Sequence, residues 1–319
     1  MSMFYEYDIR LNGLDVDGRG QCKASALLNH LQNAATLAAE DGGFSRETLV
    51  ERYGVFWMLA RSWYRLSRPM GYEDKLTIRT WHRGGKGAIM YRDYDILANG
   101  QPVGESVSAW VLADVNSHKL VRLSTIPELT GTGGGTLCKT MTLAKLRQPG
   151  DLVDVERRPM RYSDSDLNGH VNNTRYADFA CDAVGMERLS DDRYLAEMQI
   201  GYLAECRPGE VLSIQTSGLG DSRFVRGVDD AGKPRFEAAL YFGETPVYRR
   251  GVQLQNGIPQ SPPAAVPAPF CKGAFGGNLK RSEEQKAPLA KGGRAAKRRG
   301  DSSYANSRLD KAKRTRYNR

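Results

Sequence analysis

The densest run of residues able to do chemistry is Asp164-Ser165-Asp166-Leu167-Asn168-Gly169-His170-Val171-Asn172-Asn173, directly before a short helical pattern. A loop at a helix N-terminus offers unpaired backbone N–H groups and a positive dipole end, which suit an oxyanion or a carbonyl under attack. Asn172 or Asn173 is the natural N-cap. The plainer reading of an Asx-rich loop is that it turns and caps. Asn168 and His170 go beyond what a turn requires. The other histidines, His30, His82 and His118, have no polar constellation around them in the sequence.

The elements that must hold this loop come twice. Arg10-Leu-Asn-Gly-Leu-Asp15-Val-Asp17-Gly18-Arg19 aligns with Arg161-Tyr-Ser-Asp-Ser-Asp166-Leu-Asn168-Gly169-His170 at a shift of 151, which sets Asp17 against Asn168 and Arg19 against His170. Arg68-Pro69-Met70-Gly71 aligns with Arg207-Pro208-Gly209, Lys75 to Thr80 with Val211 to Thr216, and Gly100-Gln-Pro102 with Gly232-Lys-Pro234. Three collinear matches indicate a duplication. Each copy reads as a helix and then strands. Ala24, Leu27, Leu28, Leu31, Ala34, Ala35 and Ala38 keep a helical period that stops at Gly42-Gly43, and Tyr176, Phe179, Ala180, Ala183 and Val184 keep it until Gly185. Strands are predicted over Val55 to Leu66, Leu76 to His82, Ala88 to Leu97 and Val103 to Val115. In the second copy they are predicted over Tyr194 to Ala204, Val211 to Leu219, Arg223 to Val228 and Pro234 to Phe242, with Asn99-Gly100 and Asp230-Ala-Gly232 as hairpin turns. A helix against a curved antiparallel sheet, twice, is an α+β fold. The predicted division is residues 1–123, a link at 124–158, a second copy at 159–248 and a tail at 249–319.

The chain has 319 residues, 40% of them hydrophobic and 26% charged, so a packed core is within reach and collagen-like or wholly disordered classes are excluded. Its net charge of +9 suggests a polyanion partner until it is divided. Residues 251–319 hold 15 Lys/Arg and 4 Asp/Glu, whereas residues 1–250 hold 31 and 33. The basicity belongs to a Pro-, Gly- and Lys/Arg-rich tail that is read as disordered and dispensable, and the folded part is near neutral. With only Tyr304 and Tyr317 as aromatics in the Lys/Arg-rich stretch, nucleic-acid stacking is not expected. No apolar run is long enough to span a membrane, and no signal sequence opens the chain. The five cysteines form no C-x-x-C pair, so reduced thiols, a cytoplasmic location and no metal site or cofactor are expected.

The pattern Asp166-x-Asn168-x-His170-Val171-Asn172-Asn173-x-x-Tyr176, with Tyr202-Leu203-Ala204-Glu205-Cys206, resembles the acyl-acyl-carrier-protein thioesterases. Arg92-Asp93-Tyr94-x-Ile96 and Ser108-Ala-Trp110-Val111-Leu112-x-Asp114 in the first copy add to the likeness, which runs from about Tyr5 to Phe242. The absence of a plant-type transit peptide favours a bacterial member. The resemblance implies tandem hotdog folds, hydrolysis of fatty acyl-acyl carrier protein (acyl-ACP) to end fatty acid synthesis, no cofactor, and catalysis by Asp166, Asn168, His170 and Glu205. In that scheme Glu205 activates water, His170 is a shared base or proton donor, Asn168 holds the water or the thioester oxygen, and Asp166 fixes the loop. Cys206 permits a rival scheme, a Cys-His-Asn nucleophile with an acyl-enzyme. Glu205 and Cys206 are adjacent on a predicted strand, so only one faces the site, and Glu205 is preferred. Other readings are an acyl-CoA thioesterase, an enoyl hydratase, whose motif spaces Asn and His differently, and a non-catalytic binding protein. If the first hotdog holds the acyl chain, Trp57, Met58 and Trp63 are its candidate lining, with Asn172 and Asn173 near the thioester. Arg61, Arg65, Arg68, Arg79 and Arg83 are candidates to meet the acidic carrier protein. A monomer or homodimer is expected.

Overall fold

The computed structural model describes residues 4–130, 143–218 and 220–245. The strands in chain order are β1 (Tyr5–Arg10), β2 (Val55–Leu66), β3 (Lys75–Lys86), β4 (Ile89–Ala98), β5 (Gln101–Asp114), β6 (Leu120–Val121), β7 (Val153–Pro159), β8 (Arg193–Tyr202), β9 (Val211–Ser217), β10 (Ser222–Val228) and β11 (Pro234–Glu244). The helices are α1 (Ala24–Asp41), α2 (Arg46–Tyr53) and α3 (Arg175–Ala183). All the strands join one antiparallel sheet in the order β1-β3-β4-β5-β2-β8-β11-β10-β9-β7, with β6 on β5. Read from its two ends, the order is the same five-strand arrangement, so two copies meet edge to edge at β2 and β8. Arg61 pairs with Gly201 there, and Arg65 with Glu197.

Each copy covers the inner face of its half-sheet with a helix. On α1 the residues Ala24, Leu27, Leu28, Leu31, Ala34 and Ala35 are buried, one stripe at helical spacing. On α3 Tyr176, Ala177, Phe179 and Ala180 are buried, and α1 and α3 touch each other. Small residues among the large ones let each helix approach its sheet closely. Tyr64, Tyr94, Phe179 and Phe236 are among the largest fully buried side chains. Each such apolar side chain contributes roughly 1.5–3 kcal/mol of transfer free energy.

Three elements fall outside the sequence reading. The edge strands β1 and β7 are mostly exposed or half-buried, so neither shows a buried face in its pattern. In α2 only Leu49 is buried, although Ser45 caps it by accepting the Thr48 N–H and Gly54 closes it at φ 64°. Because β7 pairs with β9 from Val153↔Thr216 to Pro159↔Val211, the segment 124–158 is not all link and the second copy begins near residue 152. Leu123, Ile126 and Leu129, across its other end, pack against the first copy. The tail read from residue 249 lies outside the described residues.

Backbone hydrogen bonds also correct the alignment of the copies. Asp17 N donates to Gln21 O, and Asp166 N to His170 O; Gly20 N donates to Asp17 O, and Gly169 N to Asp166 O; Lys23 N donates to Asp15 O, and Asn172 N to Asp164 O. Gly20 and Gly169 share φ 73°. The true shift is therefore 149, not 151, and the counterparts of Asp166, Asn168 and His170 are Asp17, Arg19 and Gln21. Likewise Cys22 N donates to Met70 O, as Val171 N does to Cys206 O, so Glu205 corresponds to Pro69. Short Asp- and Gly-rich turns match themselves at several offsets, and only the pairing fixes which offset folds. The strand matches at Lys75/Val211 and Pro102/Pro234 keep their register.

Candidate active site

The loop that carries Asp166, Asn168 and His170 is built around two carboxylates. Asp164 is buried; its Oδ2 accepts the Arg161 N–H at 2.8 Å, and its Oδ1 accepts Nε and Nη2 of Arg175, both at 3.2 Å. Asp166 then closes the turn. Its Oδ1 accepts the Asn168 N–H at 2.9 Å and its Oδ2 faces Asn172 Nδ2 at 3.4 Å. Gly169 takes the left-handed conformation that lets the chain double back, and a bridge between Ser165 and Val171 seals the base. Asn168 is exposed on this turn, and its side chain has no hydrogen-bond partner among the described residues.

Neither Asn172 nor Asn173 is the N-cap: Thr174 holds that position without a side-chain cap bond, and Asn172 turns the chain onto it. Its Oδ1 accepts both Thr174 N at 2.9 Å and Thr174 Oγ1 at 2.7 Å, and α3 follows from Arg175. The amides of Val171, Asn172, Thr174 and Arg175 are committed to Cys206 O, Asp164 O, Asn172 Oδ1 and Asn172 O. Of the expected helix-start donors, the Asn173 and Tyr176 N–H groups make no hydrogen bond among the described residues.

Glu205 and Cys206 lie in the loop after β8, which ends at Tyr202, so strand alternation does not govern them. They still point apart. Glu205 is exposed, whereas Cys206 has no exposed surface. The Val171 amide on Cys206 O ties this loop to the first, and Arg235 Nη1 donates to Glu205 O at 2.7 Å while its Nη2 pairs with Asp229 at 3.1 Å. The two loops bring His170 Nε2 to 3.1 Å from Glu205 Oε2. Burial pushes the Cys206 thiol up from its ordinary value, which holds it protonated and unreactive.

One neighbour appeared in the repeat match but not among the site candidates. Arg207 Nη2 lies 3.3 Å from the same His170 Nε2. A ring nitrogen either donates a proton or accepts one, so Glu205 and Arg207 compete for it. The Arg207 amide is pinned to Glu210 Oε2 at 2.8 Å, as Gly71 N is to Asp74 in the first copy, where the position carries no side chain. No local motif marks Arg207, because its partner is 37 residues away.

A small cavity of about 10 Å³, room for about one water molecule, lies between Thr174, just before α3, and Leu28, Leu31 and Leu59 of the first copy. Trp57, Met58 and Trp63 do not line it. A bulge between Leu59 and Arg61 shifts the register of β2 against β5, so that Leu59 and Ser62 face the cavity and Trp63 turns away. Trp63 packs beside Val107 and Leu143 and donates to Glu197 Oε1 at 2.7 Å; Trp57 packs with the cluster that contains Leu49 and Leu112; Met58 alternates to the other face. The arginines proposed for an acidic partner are largely engaged. Arg65, Arg79 and Arg83 pair with Glu105, Glu6 and Asp93, and Arg61 and Arg68 donate to Leu143 O and Pro69 O.

Among the described residues no group of three or more His, Cys, Asp or Glu side chains could hold a metal ion, and no helix is long and apolar enough to cross a membrane. Cys22, Cys181 and Cys206 are free thiols.

Residues 2–128 match the model of the acyl-ACP thioesterase N-terminal domain, and residues 152–246 that of the C-terminal domain. The chain belongs to the acyl-ACP thioesterase family. Similar curated proteins include the chloroplastic dodecanoyl-[acyl-carrier-protein] hydrolase of Cinnamomum camphora, 25% identical over 62% of this chain and 55% of its own length. Another is the chloroplastic oleoyl-acyl carrier protein thioesterase 2 of Arabidopsis thaliana, 23% identical over 59% and 54%. The chain thus spans about half the length of these relatives. Among solved structures, an acyl-ACP thioesterase from Bacteroides thetaiotaomicron superposes with a TM-score of 0.63 at 23% identity, covering 76% of this chain and 98% of that one. The 12:0-ACP thioesterase of Umbellularia californica gives 0.65 at 18% identity, covering 77% and 99%. The fold is α+β, as the repeat implied, and is the tandem hotdog that the family resemblance implied.

Proposed function

We propose that the protein hydrolyses the thioester of fatty acyl-ACP and releases the free fatty acid. The observation that carries this reading is the His170–Glu205 pair at 3.1 Å, beside a loop whose duplicate in the first copy has Gln21 and Pro69 at the same positions. Only the second copy carries a candidate base and proton carrier at these positions.

In this mechanism Glu205 takes a proton from water as the water oxygen bonds to the thioester carbon. The negative charge on the carbonyl oxygen is met by the Asn173 N–H and the Asn168 amide. As the C–S bond breaks, its electron pair leaves on sulfur, and His170 supplies the proton that makes the free thiol. Asp166 acts through the loop by holding the Asn168 and Asn172 backbone and side chain in place. Cys206 takes no part in the chemistry, because its thiol is buried and faces away from Glu205. The preference for a carrier protein over coenzyme A rests on family membership and on the relatives' names.

The test is a panel of acyl-ACP and acyl-CoA substrates of graded length, with free thiol as readout. Faster turnover of acyl-ACP at some length is expected. Turnover of acyl-CoA alone would replace the carrier, and no thiol release from any member would overturn the reading.

A further inference from the structure

We propose that Arg235 is a positioning residue for the hydrolysis: its guanidinium sets the backbone of Glu205 so that the carboxylate stays against His170. This rests on the reading of Glu205 as the water-activating base.

Glu205 lies in the loop after β8 and its side chain is 48% exposed, so neither strand pairing nor core packing fixes the carboxylate. Hydrogen bonds to the loop have to do so. Arg235, at the start of β11, holds that loop twice. Its carbonyl accepts the Leu203 and Ala204 N–H groups at 2.9 and 3.1 Å, and its Nη1 donates to Glu205 O at 2.7 Å. The guanidinium is itself fixed. Its Nε and Nη2 both lie 3.1 Å from Asp229 Oδ2, and Nη2 lies 3.6 Å from Glu210 Oε1. Asp229 is anchored in turn, since its Oδ1 accepts the Ala231 N–H at 3.0 Å and the Lys233 N–H at 2.9 Å in the hairpin between β10 and β11. The other oxygen of Glu210 holds the Arg207 N–H, so one guanidinium braces the chain on both sides of Cys206.

The first copy has no such brace. Phe236 pairs with Tyr202 as Gly104 pairs with Leu66, and Leu203 N donates to Arg235 O as Ser67 N donates to Val103 O. Val103 is therefore the counterpart of Arg235, an apolar residue that is 1% exposed, and Pro69 is the counterpart of Glu205. The same loop folds there without a cation. The guanidinium accompanies the carboxylate, and aiming that carboxylate is the task left for it. A displacement of about 1 Å in a reacting group can cost on the order of 10²-fold in rate.

The experiment uses the full chain with an acyl-ACP substrate it turns over, and compares kcat and KM for the wild type, Arg235→Met, Glu205→Gln and the double variant. Arg235→Met should lower kcat by roughly 10- to 100-fold and leave KM within about twofold, because only the reacting geometry is disturbed. Added to Glu205→Gln it should cost nothing further, since it acts through that carboxylate. Should Arg235→Met fail to fold, Asp229→Asn keeps the acceptor for the two hairpin amides, replaces the oxygen that holds Arg235, and is read in the same cycle. A kcat within about twofold of wild type, an effect on KM alone, or an equal loss in the Glu205→Gln background overturns the inference and leaves the reading of Glu205 standing. Wild-type kcat in Glu205→Gln overturns both.

Discussion

His170 Nε2 and Glu205 Oε2 stand 3.1 Å apart, on two loops that the backbone bond from Val171 N to Cys206 O ties together. If Glu205 is the water-activating base, Glu205→Gln should lower kcat by roughly 10²- to 10⁴-fold with little change in stability, because the carboxylate is exposed. Steady-state thiol release and a thermal melt check both halves. A variant that kept more than about half its kcat would remove Glu205 from the chemistry.

Cys206 should behave as a packed side chain. Cys206→Ala is expected to cost about 1 kcal/mol of stability through the lost buried atom while keeping most of the activity. With its thiol buried and pushed up, iodoacetamide at neutral pH should leave it unmodified in the native enzyme. Native-state alkylation of Cys206, found by peptide mass mapping and matched by loss of activity, would contradict this.

Arg207 and Glu205 compete for one ring nitrogen. Arg207→Met should leave Glu205 as the remaining partner of Nε2 and raise the fraction of His170 with its proton there. Nitrogen-15 chemical shifts of the imidazole read that fraction directly. An unchanged tautomer ratio would mean that the 3.3 Å contact does not act on the ring.

How much of this was legible in the sequence follows from where the signal lies. The stripes of α1 and α3 and the eight inner strands bury one face or more, so their periods were visible. The edge strands β1 and β7 bury little and left none. The Asp166-x-Asn168-x-His170 turn is local and could be read, as could Glu205 through the family likeness. The Arg207 contact, the two-residue slip between the copies and the β2 bulge that turns Trp63 away from the cavity depend on long-range pairing, which no window of sequence contains.

Asp93 gives the fold a pH dependence. It is fully buried with Arg83 Nε at 3.2 Å, and burial raises its carboxyl from 3.8 to about 6. The folded protein therefore holds a proton between about pH 4 and 6 that the unfolded chain has released, and stability from this group is lost as pH rises through that window. The stability of the wild type relative to Asp93→Asn should fall by a few kcal/mol at most, on the order of 1.4 per pH unit, between pH 4 and 6 and level off above. Urea midpoints at four pH values measure it; a difference that is flat or rises would contradict the assignment.

The most direct test of the water-activation account is intact-protein mass spectrometry on acyl-ACP reactions quenched within the first turnover. The account predicts free fatty acid and free carrier thiol with no acylated enzyme at any time, in the wild type and in Cys206→Ala alike. A burst of thiol equal to the enzyme concentration, with an acyl mass on Cys206 that persists in Glu205→Ala and vanishes in Cys206→Ala, would contradict it.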